Sequence, residues 1–319
     1  MQFTIIGAGA LGTILGGHLL AAGHAVTMVA RAARLHQIAA EGLVITGLRN
    51  IAVPCVAVAP TASIASPGVV IFTVKTHQMN EALRALAGLR PTAVFSVANG
   101  VQKNEQLIGA YGAASVLGCM ANVSGELLAS GTVEFTRNVR MPIGALSGYR
   151  GPDPTTIAVA LDSAGIVTPA VTAIETIEWS KYVGWLAMFT LSVIARTTTG
   201  VFLENARLAT LAVNIVREAA AIAAARDIAL IDQSPIPAVS VSTAPLAEAM
   251  EQLRAIGRNL IAQAPTHRMS SLQDLDAGRT LEVHETLGYA VNEATRLGVA
   301  APTLALCYDI VAGLNDLPR

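Results

Sequence analysis

The sequence has few charged residues and few cysteines, and both shortages narrow the classes of protein it can belong to. Charged side chains make up 13% of the 319 residues and hydrophobic ones 53%, so the chain can bury a large core and fits about two domains. The formal net charge of −1 lacks the basic excess of a nucleic-acid surface, so we expect no nucleic-acid partner. The three cysteines have no metal-site or disulfide spacing, which predicts no metal and a reducing cytoplasm.

The mean hydropathy of +0.53 is high enough to raise the question of a membrane span. The most apolar stretch, Tyr182 to Ala195, lies between Lys181 and Arg196. It is shorter than the roughly 20 residues that a spanning helix needs. We interpret it as a buried core helix and expect no membrane association. The start of the chain has no basic region of the kind that opens a signal peptide, so we expect a cytoplasmic protein.

The first twelve residues carry the most informative motif of the chain. A short apolar strand, Phe3 to Ile6, runs into Gly7-x-Gly9-x-x-Gly12, and a helical stretch to about Ala22 follows. Strand, glycine turn and helix in this order are typical of a dinucleotide pyrophosphate site, and the alternative is a tight turn without a ligand. The first glycine permits the turn, the second lets phosphates approach the backbone, and the third lets the helix pack on the strand. The predicted phosphate-binding residues are Gly7, Ala8, Gly9, Ala10, Leu11 and Gly12.

The first half of the chain alternates strands and helices, whereas the part beyond about Ala173 consists of long helical runs. Alternation predicts a parallel sheet with crossover helices. Further strands are predicted at 25–30, 69–74, 92–97 and 115–119, a hairpin at 133–136 and 141–145, and helices at 78–89, 203–226, 245–264 and 281–297. The predicted fold class is α/β: an N-terminal Rossmann-like doubly wound domain over 1–172, then an all-helical C-terminal domain over 173–319 for substrate and catalysis. We expect the active site in the cleft between them.

The residue after the second strand favours NADP(H) over NAD(H). An Asp or Glu at this place hydrogen-bonds the ribose 2′-hydroxyl, but the chain has Arg31 there, whose fork of donors suits a 2′-phosphate. No carboxylate precedes Glu41, so we expect none to contest the site, and Arg34 could assist. The alternative is that Arg31 is a solvated loop arginine.

Polar residues follow two other predicted strands. Lys75 comes after the third strand and Asn99-Gly100 after the fourth, so both fall at carboxyl ends of strands, where open parallel sheets bind ligands. Asn-Gly is also a common turn, and its placement rather than its type makes Asn99 a candidate.

Two features stand out in the second half. Lys181 precedes a strongly apolar helix, where desolvation would make it a usable proton donor, although lysines at helix ends also extend into solvent. The polar segment from Ser270 leads Glu282 into the first turn of the next helix, where helix-terminus electrostatics alone could explain a glutamate.

These motifs, in this order, resemble the ketopantoate reductases (2-dehydropantoate 2-reductases) over nearly the whole chain. The shared segments are 7–12, Ala30-Arg31, Val74-Lys75, Asn99-Gly100, Glu178-Trp179-Ser180-Lys181 and 270–282. The last is the most specific, because little else reads Ser-Ser-x-Gln-Asp followed by Ala-Gly-Arg and Glu.

The resemblance implies that NADPH gives a hydride to the keto carbon of a small-molecule 2-keto acid, nominally ketopantoate in pantothenate biosynthesis. It implies that Lys181 is the general acid and that Glu282 binds near the nicotinamide ribose and orders the site. It also implies that Asn99 touches cofactor and substrate, that Ser270 holds the substrate carboxylate, and that Lys75 lines the cofactor cleft. A cation beside the carbonyl would stabilise the developing oxyanion before giving up its proton.

The departures from the family concern the substrate. Trp185 and Phe189 replace asparagines that family members usually carry one and two turns after the lysine, and Thr199 replaces a later one. Each unmatched polar group costs about 1–3 kcal/mol, so these replacements favour a more apolar or aromatic 2-keto acid. The family's Thr-x-His-Gly/Ala segment is Met120 to Ser124 here, and we place Ser124 in the cofactor site.

Three functions follow from these residues. The leading one is an NADPH-dependent 2-keto acid reductase with ketopantoate as the nominal substrate. The second is a family member acting on another 2-keto acid, or running as a D-2-hydroxy acid dehydrogenase. The third is an NADP(H)-binding sensor without catalysis, against which the retained Lys181 and Glu282 argue. Whether the protein forms a homodimer stays open.

Overall fold

The computed structural model describes residues 1–60, 62, 64–233 and 235–317, which form two compact units. The first comprises Met1–Asn99 and Lys103–Ile174, and the second comprises Gly100–Gln102 and Glu175–Arg319. The chain thus changes unit at Ile174, close to the 172 expected from the sequence, and the short segment after Asn99 counts with the second unit.

The first unit contains all the described strands and five α-helices. Its strands are β1 Gln2–Ile6, β2 Ala25–Val29, β3 Leu43–Gly47, β4 Ile51–Val53, β5 Val56–Val58, β6 Val69–Phe72, β7 Ala93–Ser96, β8 Leu117–Cys119, β9 Asn122–Leu127, β10 Val133–Arg140 and β11 Ile143–Ala145. Its helices are α1 Ala10–Ala21, α2 Ala32–Glu41, α3 Met79–Ala85, α4 Gln102–Tyr111 and α5 Pro154–Ser163.

Five of these strands form a wholly parallel sheet in the order β5-β2-β1-β6-β7. Side chains alternate across it: Phe3 and Ile5 enter one core, whereas Ile6 enters another with Phe72 from β6. Both faces of the central strands are therefore buried, as in a doubly wound sheet. This confirms the predicted α/β class.

Helix α1 lies between two sheets. It contacts β1 and β2 of the parallel sheet and also β3, β4, β9 and β10, which form a second, mixed sheet in the order β4-β3-β10-β9. Every residue from Gly12 to Leu19 is buried, so the helix is covered on all sides rather than along one stripe. The second sheet holds the helix, and hence the glycine turn at its start, against the parallel sheet.

The predicted hairpin is wrong. Its first half extends into β10, which pairs antiparallel with β9, and its second half is β11, which pairs with β8. Arg137 and Asn138, taken as turn residues, lie inside β10, where the register with β9 shifts at Phe135/Arg137 and again at Asn138/Arg140. Such irregularities accommodate polar residues within a strand and hide it from pattern reading. The predicted fifth strand also differs, since Val116 makes only an isolated bridge to Val94 of the parallel sheet.

The second unit is helical, as predicted. Its helices are α6 Ile174–Ala195, α7 Thr199–Glu204, α8 Ala206–Ala225, α9 Ala238–Thr243, α10 Leu246–Gln263, α11 Ser270–Asp276, α12 Tyr289–Leu297 and α13 Pro302–Asp316, with a π-helical turn at His284–Gly288 before α12. The predicted helix 203–226 is broken at Asn205, whose side chain accepts hydrogen bonds from the N–H groups of Arg207 and Leu208 and so caps α8.

By length and composition, one helix of the described residues, α8, could cross a membrane. Of its most apolar window, 44% is buried inside the fold, and the helix packs on α9, α10, α12 and α13. A core helix passes the same test of length and hydropathy, so this is weak evidence for a span.

Candidate functional site

The glycine turn is held by contacts that leave no room for side chains at two of its positions. Gly7 has φ +107°, and a Cβ there would lie 2.8 Å from Val74 Cγ1. A Cβ on Gly12 would lie 2.0 Å from the Gly7 carbonyl oxygen. That oxygen also accepts a hydrogen bond of 2.7 Å from Thr73 Oγ1. These glycines are therefore required by the fold of the turn itself.

Gly9 differs from these two glycines, because the space that a side chain would take there is open. Among the described residues, no heavy atom lies within 4 Å of the position that a Cβ on Gly9 would take. Gly9 caps α1, its carbonyl accepts from the Thr13 N–H at 3.0 Å, and helix geometry gives the N–H groups of Ala10, Leu11 and Gly12 no acceptor within the helix. Open space beside outward N–H groups at a helix start fits a pyrophosphate.

Arg31 lies next to a carboxylate that the sequence did not indicate. Its Nη1 is 2.7 Å from Oε1 of Glu81, and both side chains are about half exposed or more, at 50% and 61%. The expectation that no carboxylate contests this position is therefore wrong. The reason is topological: β2 and β6 both flank β1, so the segments that follow them, carrying Arg31 and Glu81, come together. The strand order is the signal that could have found Glu81.

Arg34 is occupied by the fold. Its guanidinium donates to the carbonyls of Ala8 at 3.0 Å and Gly131 at 2.8 Å, and to the side chains of Thr13 and Gln37. Burial lowers its pKa from the usual value, although an arginine stays charged in water-accessible sites. Arg34 thus joins the glycine turn to α1 and to the loop of the second sheet. All three of its guanidinium nitrogens already donate hydrogen bonds within the protein, so it is not set up to bind a phosphate.

Of the other predicted residues of the first unit, Lys75 and Asn99 follow strands of the parallel sheet, whereas Ser124 does not. Lys75 precedes a single turn at Thr76–Gln78 after β6, and Asn99 follows β7; both are half-buried. Gly100 has φ +79°, which favours glycine. Ser124 lies in β9 of the mixed sheet, with an exposed side chain. Cofactor contact by these residues stays a prediction.

Lys181 does not sit at the mouth of a helix, as the sequence suggested. Helix α6 begins at Ile174, so Lys181 lies inside it and is half-buried between the buried residues Ser180 and Tyr182. The Ser180 hydroxyl beside it donates to the Thr176 carbonyl one turn earlier in α6 and accepts from the Ile231 N–H at 2.9 Å, which joins this part of the helix to a distant segment of the chain.

The tryptophan of the Glu-Trp-Ser-Lys motif anchors this part of α6. Arg226 lies over the Trp179 ring at 5.2 Å, and the same arginine donates to the Tyr289 hydroxyl at 2.9 Å and pairs with Glu293. Trp179 also meets the Tyr182 ring edge-on. The cation–π contact and the edge-on ring contact hold this face of α6, just before Lys181, in place.

A chain of hydrogen bonds joins the helix of Lys181 to the segment of Glu282. The Tyr182 hydroxyl donates to the Thr286 carbonyl at 2.8 Å, and the Thr286 hydroxyl donates to the Glu282 carbonyl. Glu282 is buried, with 9% of its surface exposed, just before the π-helical turn. Such turns are frequent at functional sites. Sequence reasoning named Lys181 and Glu282 as candidates but did not name Tyr182 and Thr286, whose hydrogen bonds bring these two elements together.

Thr199 and Ser270 belong to a second connection in this unit. The Thr199 hydroxyl and His267 Nδ1 are 2.9 Å apart, and the Thr199 N–H donates to the His267 carbonyl at 2.9 Å. Thr199 has no exposed surface, whereas Ser270, the first residue of α11, is exposed. In this structure Thr199 therefore supports the segment that leads to Ser270. His267 was missed because nothing in its sequence neighbourhood marks it.

The aromatic pair is buried. Trp185 is 6% exposed and Phe189 1%, and their rings stack at 4.9 Å within the core of the helical unit. At about 100° per residue, i+4 turns about 40° from Lys181 but i+8 turns about 80°, which carries Phe189 into the core. Both rings lie in this core, so the aromatic wall predicted from the sequence is not seen as an exposed surface, and contact of Trp185 or Phe189 with a substrate stays a prediction.

Burial keeps two of the cysteine thiols unreactive. Burial raises the pKa of Cys55 and of Cys307 to about 11, so both stay protonated at neutral pH. Within the described residues, no three His, Cys, Asp or Glu side chains form a group that could hold a metal ion.

Residues 3–148 match the family described as ketopantoate reductase PanE/ApbA, and residues 173–315 match the C-terminal region of the same family. The chain belongs to the ketopantoate reductase family. It is thus an oxidoreductase of the kind that acts on a CH–OH group, and the resemblance read from its motifs is confirmed.

Relatives of the family match along the whole chain. The 2-dehydropantoate 2-reductase of Pyrococcus horikoshii is 28% identical over 320 residues, covering 99% of this chain and 98% of that protein. A PanE/ApbA family ketopantoate reductase from Ralstonia eutropha superposes with a TM-score of 0.83 at 24% identity, covering 99% of each chain. D-mandelate dehydrogenase, solved with NADH and anilino(oxo)acetate, superposes with a TM-score of 0.84 at 19% identity over 99% of each chain. At these identities the two structures show a shared fold.

Proposed function

We propose that the protein reduces a 2-keto acid to the 2-hydroxy acid with NADPH, nominally 2-dehydropantoate to pantoate. The observation that carries this proposal is the hydrogen-bonded link from Tyr182 through Thr286 to Glu282, which ties the proposed acid and its proposed partner into one rigid unit. The names of curated relatives, 2-dehydropantoate 2-reductases in Pyrococcus and Archaeoglobus species, support the reaction.

The chain's own residues would divide the work between binding and proton transfer. First-turn N–H groups of α1 bind the pyrophosphate beside Gly9, and Arg31 binds the 2′-phosphate. When bound, NADPH supplies the hydride that adds to the keto carbon as the carbonyl π pair moves to oxygen. The Lys181 ammonium stabilises the oxygen as it becomes negative and then donates its proton to it, leaving the hydroxy acid and a neutral lysine. Ser270 binds the substrate carboxylate, Asn99 contacts cofactor and substrate, and Glu282 orders the nicotinamide ribose.

The cofactor assignment is tested by Arg31→Ala. We expect the wild type to bind NADPH more tightly than NADH, because the guanidinium makes a charge-assisted contact with the 2′-phosphate. The variant should lose about one to two orders of magnitude of that preference, or about 1.5–3 kcal/mol. Dissociation constants for both nucleotides, measured by fluorescence titration, give the ratio directly. A wild type that prefers NADH, or a variant that keeps its discrimination, would remove Arg31 from this role.

A second candidate is reduction of an apolar or aromatic 2-keto acid. It is favoured by Trp185, which stands on α6 one turn after Lys181 where relatives usually carry an amide. A protein with a similar fold is named D-mandelate dehydrogenase, and mandelate is an aromatic 2-hydroxy acid, which also supports this candidate. The two candidates share the chemistry at Lys181 and differ only in the wall that meets the substrate side chain.

A panel of 2-keto acids separates these candidates. If the second is right, phenylpyruvate or a branched-chain keto acid should give a higher kcat/KM than ketopantoate, and Trp185→Asn should shift the ratio towards ketopantoate. Phe189→Ala is the matched control, since it should lower stability by about 3–5 kcal/mol without changing the ratio. Efficient reduction of ketopantoate with poor activity on every apolar acid would exclude the second candidate and support the first.

A further inference from the structure

Glu81 lies where it can act on the choice of nucleotide. It is in the first turn of α3, after β6, and its carboxylate is 2.7 Å from the Arg31 guanidinium after β2. The two residues are 50 positions apart in the chain and meet only because β2 and β6 lie on either side of β1. One N–H donor of the Arg31 guanidinium is therefore already engaged by the Glu81 carboxylate.

The charges of this pair have opposite consequences for the two nucleotides. A 2′-phosphate must share or take the Arg31 donor that Glu81 holds, and it brings negative charge close to the carboxylate. A ribose 2′-hydroxyl carries no charge and can donate a hydrogen bond to a carboxylate oxygen. Because the side chains are 50% and 61% exposed, the pair is worth little by itself and can be opened by a ligand.

We propose that Glu81 is a specificity-determining residue that competes with the 2′-phosphate for Arg31 and so narrows the preference for NADPH over NADH. The inference rests on the proposed function, because it assumes that the 2′ position of a nicotinamide dinucleotide meets Arg31. It assigns to Glu81 a part in cofactor choice and none in hydride or proton transfer.

The test is a double-mutant cycle on the full chain, in which nucleotide binding is measured and no catalytic turnover is needed. Dissociation constants for NADPH and NADH are measured for the wild type, Glu81→Gln, Arg31→Ala and the double variant. We expect Glu81→Gln to tighten NADPH binding about fivefold to tenfold at low salt and to leave NADH binding unchanged or up to threefold weaker. In the Arg31→Ala background the same change should tighten NADPH binding clearly less, because the contested donor is gone and only the repulsion between carboxylate and phosphate is relieved.

Glu126→Gln is the matched control. It removes the same charge from an exposed residue of the first unit, but on β9 of the mixed sheet, and should leave both dissociation constants unchanged. Raising the ionic strength should shrink the effect of Glu81→Gln, since the pair is exposed.

The outcomes separate the inference from the proposed function. If the wild type binds NADPH and Glu81→Gln changes its dissociation constant less than twofold, the inference is wrong and the proposed function stands. An equal gain with and without Arg31 would also overturn it, because Glu81 would then act without competing for the arginine. If the wild type binds neither nucleotide, the proposed function is wrong and the inference falls with it.

Discussion

The two units build their candidate sites in different ways. In the first unit the proposed pyrophosphate site is backbone, and six consecutive residues from Gly7 to Gly12 supply a turn, a helix start and open space. In the second unit the candidates Lys181, Thr199, Ser270 and Glu282 are spread over about a hundred residues, and side-chain hydrogen bonds join their elements. A contiguous backbone site depends on local geometry, whereas a dispersed one depends on how helices pack.

The largest effect expected from this comparison is chemical and lies in the second unit. Lys181→Ala should lower turnover by about 10²–10⁴-fold, the usual contribution of a positioned acid, with little change in NADPH binding. Glu282→Ala should lower turnover less, because it orders the site. Arg258→Ala on α10, an exposed residue paired with Glu251, is the control and should behave as wild type in turnover and thermal melting. Near-normal turnover of Lys181→Ala would exclude the general-acid role.

The next effect distinguishes two glycines of the same turn. Gly12→Ala should destabilise the protein by about 1–3 kcal/mol or more, because its Cβ would meet the Gly7 carbonyl oxygen at 2.0 Å. Gly9→Ala should melt like the wild type, since no heavy atom of the described residues beyond its immediate chain neighbours lies within 4 Å of that Cβ, yet bind NADPH at least tenfold more weakly.

Thermal melting and nucleotide titration of both variants check this difference. Gly109→Ala inside α4, where a Cβ is also free of contacts, should melt at or slightly above the wild-type temperature. If Gly9→Ala bound NADPH normally, the open space beside Gly9 would not be a phosphate site.

The smallest effect concerns the charged group that anchors α6. Hydrogen bonds from Arg296 at 2.8 and 2.7 Å and from Arg226 hold the pKa of Glu293 below its usual value. Glu293→Gln should lower the free energy of unfolding by about 1–3 kcal/mol at pH 7. A carboxylate with a lowered folded-state pKa stabilises fully above its unfolded pKa of about 4.3 and less as pH falls. The difference from wild type should therefore shrink below about pH 4.3.

Chemical denaturation at several pH values measures this dependence. Glu251→Gln is the control, because Glu251 pairs with Arg254 and Arg258 on the surface of α10 and should leave unfolding almost unchanged. A Glu293→Gln difference that stays constant down to pH 3 would mean that packing, not charge, explains its effect.

The sequence alone predicted the α/β class, the helical second half, the glycine turn and the family. These features depend on short-range patterns: β1, Gly7 to Gly12 and α1 are contiguous, and the segment from Ser270 to Glu282 keeps a family motif within thirteen residues. Their geometry follows from local dihedral preferences and hydrophobic spacing, which a single chain reveals.

Tertiary structure alone decided which residues meet across long separations. The strand order placed Glu81 against Arg31, the pairing of β9 with β10 replaced a predicted hairpin, and the packing of α6 buried Phe189 and linked Tyr182 to the segment of Glu282. The sequence could not show these contacts because each depends on the relative placement of elements that are distant in the chain. That placement is set by the burial of whole faces and the pairing of buried polar groups, not by any one local pattern.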